Sequence, residues 1–178
     1  MTTADPVLLE QEGLACDAAG DAARALECFR QAHQLYAERG DVREMSEMLN
    51  DIGVVHYRQR RWAEAEAALR EAIEAAGPDH PDKQAQAWGN LGSLLARQGR
   101  AAEAEEAYNR AVALFRQVGD ADKAEATLKA LSDLSLRRGG WAESVLHHER
   151  RLAAVPAPNL WQRFQARLIR LLKRLGGM

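Results

Sequence analysis

The stretch WGNLGSLLARQGRAAEAEEAYNRA, Trp88 to Ala111, decides the fold. Leu91 and Leu95 flank the small Gly92, Gly99 interrupts the run, and Ala104, Tyr108 and Ala111 then resume a helical spacing. Apolar and small residues recurring at three- and four-residue intervals mark one face of a helix. A glycine between two such runs supplies the positive-φ residue that ends one helix and reverses the chain. The stretch therefore predicts a helical hairpin, with small side chains where the two helices touch and large ones filling the gap.

The arrangement recurs on both sides. Leu9, Gly13, Cys16, Gly20, Ala25, Phe29 and Ala32 form one copy, and Leu49, Ile52, Gly53, His56, Ala65, Leu69 and Ala72 form another. A further copy begins with Leu128, Leu131, Ser132 and Ser135, but its second half, through Gly139, Ser144, His148 and Arg151, lacks the apolar anchors and reads as a terminal repeat. The small contact residue falls at Gly13, Gly53, Gly92 and Ser132, in steps of 40, 39 and 40 residues. Asp5-Pro6, Gly40-Asp41, His80-Pro81 and Gly119-Asp120 each combine a helix stop, an N-cap candidate or a first-turn proline. Four hairpins are expected, at about residues 6–40, 41–79, 80–119 and 120–155. Reversals within them are expected at Gly20-Asp21, Arg60-Arg61, Gly99-Arg100 and Gly139-Gly140, and the second, lacking glycine, should be strained.

Trp88, Leu91, Gly92, Leu95, Ala104 and Tyr108 follow the W-x2-L-G…A-x3-F spacing, so over residues 6–155 the chain resembles the tetratricopeptide repeat family. Its long period and the loop from Gly77 resemble the extended repeats of kinesin light chains, and similar long repeats occur in bacterial peptide-sensing regulators. The resemblance implies an all-α, right-handed superhelical solenoid in which the first helix of each pair lines a concave inner surface that binds protein or peptide. By equivalence of position that surface includes Glu10 and Asp17; Asn50, Asp51, Val54, Tyr57 and Arg58; Gln86, Asn90, Ser93 and Arg97; and Lys129, Asp133, Leu136 and Arg137. Asn90 matches the asparagine that long-repeat relatives place in the groove, where an amide both donates and accepts. Its counterpart Asp51 only accepts when ionised. The family's clamp for a terminal carboxylate, built of lysines and asparagines, is not reproduced.

Arg58, Arg97 and Arg137 recur once per repeat and suit carboxylate recognition, which points to an acidic peptide. The competing explanation is structural, because a cation at a helix C-terminus complements the macrodipole without any ligand.

The remaining composition sets the classes of function. The formal charge of −2 argues against a nucleic-acid partner, and the opening MTTADPVLLEQEG carries no export pattern, so a cytoplasmic location is expected. Residues 156–178 break from the rest: Arg163, Arg167, Arg170, Lys173 and Arg174 give +5 with no acid, against −7 elsewhere. On a helical wheel Leu160, Trp161, Phe164, Leu168, Leu171, Leu172 and Leu175 share an arc of about 120°, with all five cations on the opposite side. Such a face must be covered, and the options are capping of the last hairpin, an anionic membrane surface met through residues 159–175, or self-association. No catalytic or cofactor motif emerges. Asp79-His80-Pro81-Asp82 reads as helix capping, Glu143 and His147 make at most a weak two-ligand pair, His56 reads as packed, and Cys16 and Cys28 read as reduced thiols. The expected function is a non-catalytic protein-binding adaptor or scaffold; the alternatives are a membrane-peripheral assembly scaffold docking through the basic helix, and a peptide-responsive regulatory module.

Overall fold

The computed structural model describes residues 5–137 and Arg150. The described residues form seven helices: α1 (Pro6–Ala18), α2 (Ala22–Arg39), α3 (Val42–Arg58), α4 (Trp62–Ala76), α5 (Pro81–Arg97), α6 (Ala101–Gln117) and α7 (Ala121–Arg137). The expected reversal at Gly139-Gly140, the second half of the fourth hairpin and the apolar face from Trp161 to Leu175 lie outside the described residues. Each helix packs on the next in sequence, and the alternate helices α3, α5 and α7 also touch. The result is an all-α solenoid of antiparallel hairpins.

Helix starts follow local chemistry at some sites and not at others. The Asp5, Asp21 and Asp120 carboxylates accept from the backbone N–H of Val7, Arg24 and Lys123, at 3.1, 3.0 and 3.0 Å. These bonds satisfy donors that a helix leaves unpaired at its first turn. Asp41, expected to cap α3, makes no such bond, and α4 and α6 start at Arg61 and Arg100 without a side-chain cap. At α3, α4 and α6 burial of the apolar face supplies what capping does not.

Within each of the first three hairpins a glycine admits the large residue of the facing helix. A Cβ on Gly13 would lie 2.6 Å from Phe29 Cε1, one on Gly53 2.7 Å from Leu69 Cγ, and one on Gly92 2.7 Å from Tyr108 Cδ1. Real Cβ atoms do not tolerate such distances, so the interhelical spacing exists only because hydrogen stands there. The cores run between hairpins as well as within them. Phe29 and Tyr36 of the first hairpin pack with Met48, Ile52 and Val55 of the second. Leu69, Leu91, Leu95, Tyr108, Leu128 and Leu131 belong to one cluster that crosses three hairpins.

The reversal between α3 and α4 carries a local cost. Gly20 and Gly99 end α1 and α5 at φ +84° and +79°, whereas the equivalent Arg60 sits at φ +60°. A non-glycine residue in the left-handed region costs about 1–2 kcal/mol, so the strain expected at this junction is present. Replacement Arg60→Gly is expected to stabilise the protein by about 0.5–1 kcal/mol, the strain relief being partly offset by the freer unfolded chain. Urea unfolding checks this, and an unchanged or lower midpoint would contradict it. Conversely, Gly92→Ala is expected to cost about 1–3 kcal/mol by overpacking Tyr108, and less in a Tyr108→Leu background, where the double-mutant cycle should show coupling between the sites.

Candidate partner-binding groove

The inner wall is built from α3, α5 and α7, with α6 visible as a floor between the last two. One cleft of about 250 Å³ is lined by Tyr57 of α3, Ser93 and Arg97 of α5, Tyr108 of α6, and Asp133, Leu134 and Arg137 of α7. A second of about 280 Å³ is lined by Gln86, Asn90 and Ser93 of α5, Tyr108 and Phe115 of α6, and Lys123 and Thr127 of α7. Ser93, Tyr108 and Ala130 belong to both clefts, so the two form one continuous trough. At their junction the Tyr108 hydroxyl donates to Ser93 Oγ at 3.2 Å, and Ser93 Oγ donates to the Gly89 carbonyl at 3.1 Å.

The structure sorts the expected groove residues. Tyr57, Ser93, Arg97, Asp133 and Arg137 converge on the first cleft, and Gln86, Asn90 and Ser93 on the second. Val54 is half-buried, Lys129 and Leu136 are exposed, and all three line neither cleft. The ladder of three arginines has two open rungs. Arg58 pairs with Asp17 of the first hairpin, so its charge is met inside the chain. Arg97 and Arg137 make no ion pair among the described residues, although Arg24, Arg43, Arg61, Arg70, Arg100 and Arg110 each hold a carboxylate.

Asn90 is also more engaged than its spacing suggests. Its Nδ2 donates to Asn50 Oδ1 at 2.8 Å, and Asn50 Nδ2 donates to Asp51 Oδ1 at 3.2 Å. This chain joins α5 to α3 across the wall. Next to it, Lys83 pairs with Glu47 and Tyr36 donates to Glu10 at 3.1 Å. Burial, with Glu47 and Glu10 close by, pushes the Asp51 carboxyl up to about 7 against the opposing hydrogen bond from Asn50 and the charge of Lys83. Carboxylates gather toward α1 and α3, whereas the α5 and α7 end of the trough carries Arg97 and Arg137 together with Asp133.

Lys123, Thr127, Tyr108 and Phe115 line the trough without having been expected there, and the Glu47–Lys83 pair beside Asp51 was likewise not expected. The signal for Lys83 and Glu47 was available: carrying each expected inner face one turn toward its N-terminus gives Lys83 before Gln86 and Glu47 before Asp51. The sequence assigns Tyr108 to packing; in the structure its ring meets Gly92 and also lines both clefts.

Other candidates resolve as structural features. Asp82, in the His80-Pro81 turn, binds Arg43 at 2.7 Å; burial alone would raise its carboxyl, but that guanidinium outweighs it and holds it below the usual range. His56 is buried, and desolvation together with Arg61 and Arg30 lowers its affinity for a proton. Cys16 and Cys28 carry free thiols. Among the described residues no cluster of His, Cys, Asp and Glu could hold a metal, and no helix is long and apolar enough to cross a membrane.

The model of the tetratricopeptide repeat matches residues 7–77 and 83–157. The chain belongs to the tetratricopeptide repeat family. It is thus a helical-repeat scaffold of the protein-binding kind, with the stacked hairpins and concave wall that such arrays present to partners. No curated protein matches the sequence. Among solved structures, aspartyl phosphate phosphatase F from Bacillus subtilis superposes with a TM-score of 0.79 at 13% identity, over 85% of this chain and 41% of that one. BtubC (BKLC) from P. vanneervenii superposes with a TM-score of 0.72 at 20% identity, over 89% of this chain and 70% of that one. This tetratricopeptide chain therefore spans 41% of the length of the phosphatase, and the likeness to both is one of fold.

Asp51 makes the stability of the array depend on pH. Its folded pKa of about 7 lies above the ordinary 3.8, so its favourable contribution is complete below about pH 4 and is lost as pH rises through 7. Asp51→Asn keeps an acceptor for Asn50 and removes the buried charge. The variant is expected to be more stable than the parent by about 1–3 kcal/mol at pH 8, with the difference shrinking toward pH 4; thermal melts at the two pH values give the comparison, and a gain independent of pH would contradict the assignment.

Proposed function

We propose that this protein is a non-catalytic adaptor that holds an extended or helical segment of a partner along the trough, with an acidic residue of that segment seated between Arg97 and Arg137. The observation that carries this reading is the pair of open guanidinium groups beside Tyr57 and Ser93. Where Arg58 and Lys83 are met by Asp17 and Glu47, Arg97 and Arg137 on successive inner helices line one cleft, with Asp133 beside them, and make no ion pair among the described residues. A planar guanidinium matches a carboxylate through two parallel hydrogen bonds, and a partly enclosed cleft weakens the competition from water. Tyr57 and Tyr108 border the cleft with rigid rings that combine apolar area with a hydroxyl, and the Gln86 amide and Asn90 Oδ1 offer polar groups to the main chain of the occupant.

The groups around the trough are suited to binding and positioning a partner segment. The adaptor reading therefore asks of the groove only affinity and orientation.

A fluorescein-labelled hexaglutamate peptide serves as the probe, with hexalysine as the control. Fluorescence anisotropy is expected to show binding of the acidic peptide that weakens with salt, and the double change Arg97→Ala with Arg137→Ala is expected to reduce affinity by about 10- to 100-fold, the range for charge-assisted hydrogen bonds. Circular dichroism should be unchanged, since both side chains are exposed. Equal binding by the parent and the double variant, or equal binding of the two peptides, would remove this assignment.

A further inference from the structure

We infer that Asp133 is a specificity-determining residue of the trough: the partner segment carries a basic side chain beside its acidic one, with the carboxylate on Arg97 and Arg137 and the cation on Asp133. This rests on the adaptor reading and adds to it which kind of acidic segment the groove prefers.

Position within the repeat explains why the two arginines are open. Arg58, Arg97 and Arg137 each stand five residues after the small contact residue of their own copy, Gly53, Gly92 and Ser132. The partner of Arg58, Asp17, stands four residues after Gly13 in the preceding copy. At that same position the second and third copies carry Tyr57 and Ala96, neither of which has a carboxylate. Both line the cleft that Arg97 and Arg137 border. The cleft thus lies where the pattern of the first copy would set an internal acid, and an incoming carboxylate takes the role there that Asp17 has beside Arg58.

Asp133 adds a charge of the opposite sign. It follows Ser132 directly, where the other copies carry Leu14, Val54 and Ser93, so it is the only acid at this position of the repeat. It is exposed and lines the same cleft. Arg70 and Arg110 hold Glu66 and Glu106 one helical turn away, at 2.7 and 2.6 Å, whereas Arg137, at the same four-residue spacing from the shorter Asp133, forms no such pair. Both charges are therefore open to an occupant. Their reach into the trough shows at the Tyr108 hydroxyl: burial raises its pKa, and of the charges acting on it Arg137 opposes that rise while Asp133 adds to it. A segment made of acids alone would place one of them against Asp133 and lose part of what the arginines supply. Along α7, Asp133 and Arg137 are about 6 Å apart, and side chains two residues apart on one side of an extended segment match this at about 7 Å. The preferred occupant is an acid and a base separated by one residue.

Fluorescence anisotropy of the full chain with two fluorescein-labelled peptides of equal length, one repeating Glu-Gly-Lys-Gly and the other Glu-Gly-Gln-Gly, tests this. The two differ only in whether the side chain next to each glutamate on the same side is a cation. The parent is expected to bind the Glu/Lys peptide about 2- to 5-fold more tightly, the range for an exposed ion pair, although the Glu/Gln peptide carries more negative charge. Asp133→Asn is expected to abolish or reverse that order, and Arg97→Ala with Arg137→Ala to weaken both peptides. A parent that prefers the Glu/Gln peptide, or an order that Asp133→Asn leaves unchanged, would overturn this inference while the arginine cleft stands. Absence of binding to the parent, or binding that the double arginine variant leaves intact, would overturn the adaptor assignment of the cleft and this inference with it.

Discussion

Everything in this array depends on a close approach of two helices at a glycine. At Gly13, Gly53 and Gly92 the facing Phe29, Leu69 and Tyr108 occupy space that any Cβ would need, at distances of 2.6–2.7 Å. Small opposite large is a steric condition and works in one register only: sliding a helix by one residue would move the aromatic or leucine from a hydrogen to a side chain. Each hairpin is therefore fixed internally before it meets its neighbours. A hairpin so fixed still has an apolar outer face, and stacking is what buries it; clusters such as the one joining Leu69, Leu91, Tyr108 and Leu131 are the consequence.

Polar contacts then orient one hairpin on the next. Arg43–Asp82 and Lys83–Glu47 join α3 to α5, Arg100–Glu66 joins α6 to α4, and Arg58–Asp17 joins α3 to α1. Exposed pairs contribute about 0–1 kcal/mol each, far less than burial of the leucines they border. Their role is selection between alternative stackings that bury similar area. Lys83, almost fully buried, is the strongest selector, since a stacking that separated it from Glu47 would strand an ammonium in the wall.

The architecture was legible in the sequence because it is periodic. The forty-residue recurrence of Gly13, Gly53, Gly92 and Ser132 places the contacts, and Arg60 announces its own strain by standing where Gly20 and Gly99 stand. The groove was legible only as a set of positions. Arg58, Arg97 and Arg137 are equivalent within their repeats, yet Arg58 is neutralised by Asp17, 41 residues earlier, and no local feature of the second repeat reports that partner. Asn90 likewise finds Asn50 40 residues away, at a position its own repeat fills with Gly89. Repeat periodicity predicts which residues face inward; which of them are already satisfied is a property of pairs of repeats, and pairs are where the copies differ.

Arg60 and Asp51 show how differently a local cost can sit in such a framework. Arg60 lies on the reversal between α3 and α4, and its strain affects a connection that glycine makes without penalty elsewhere in the same chain. Asp51 lies on the inner wall, where the third copy uses the neutral Asn90. Its burial beside Glu47 and Glu10 opposes ionisation, while Asn50, which binds it, also receives Asn90. Removing the strain at Arg60 alters one turn. Changing the charge of Asp51 alters a hydrogen-bonded chain that runs from α3 to α5 and ends at Asn90 in the trough, so the same order of free energy reaches the surface that meets a partner. Local rules are broken at little consequence where a connection merely has to turn, and at functional consequence where the broken rule is wired into the wall.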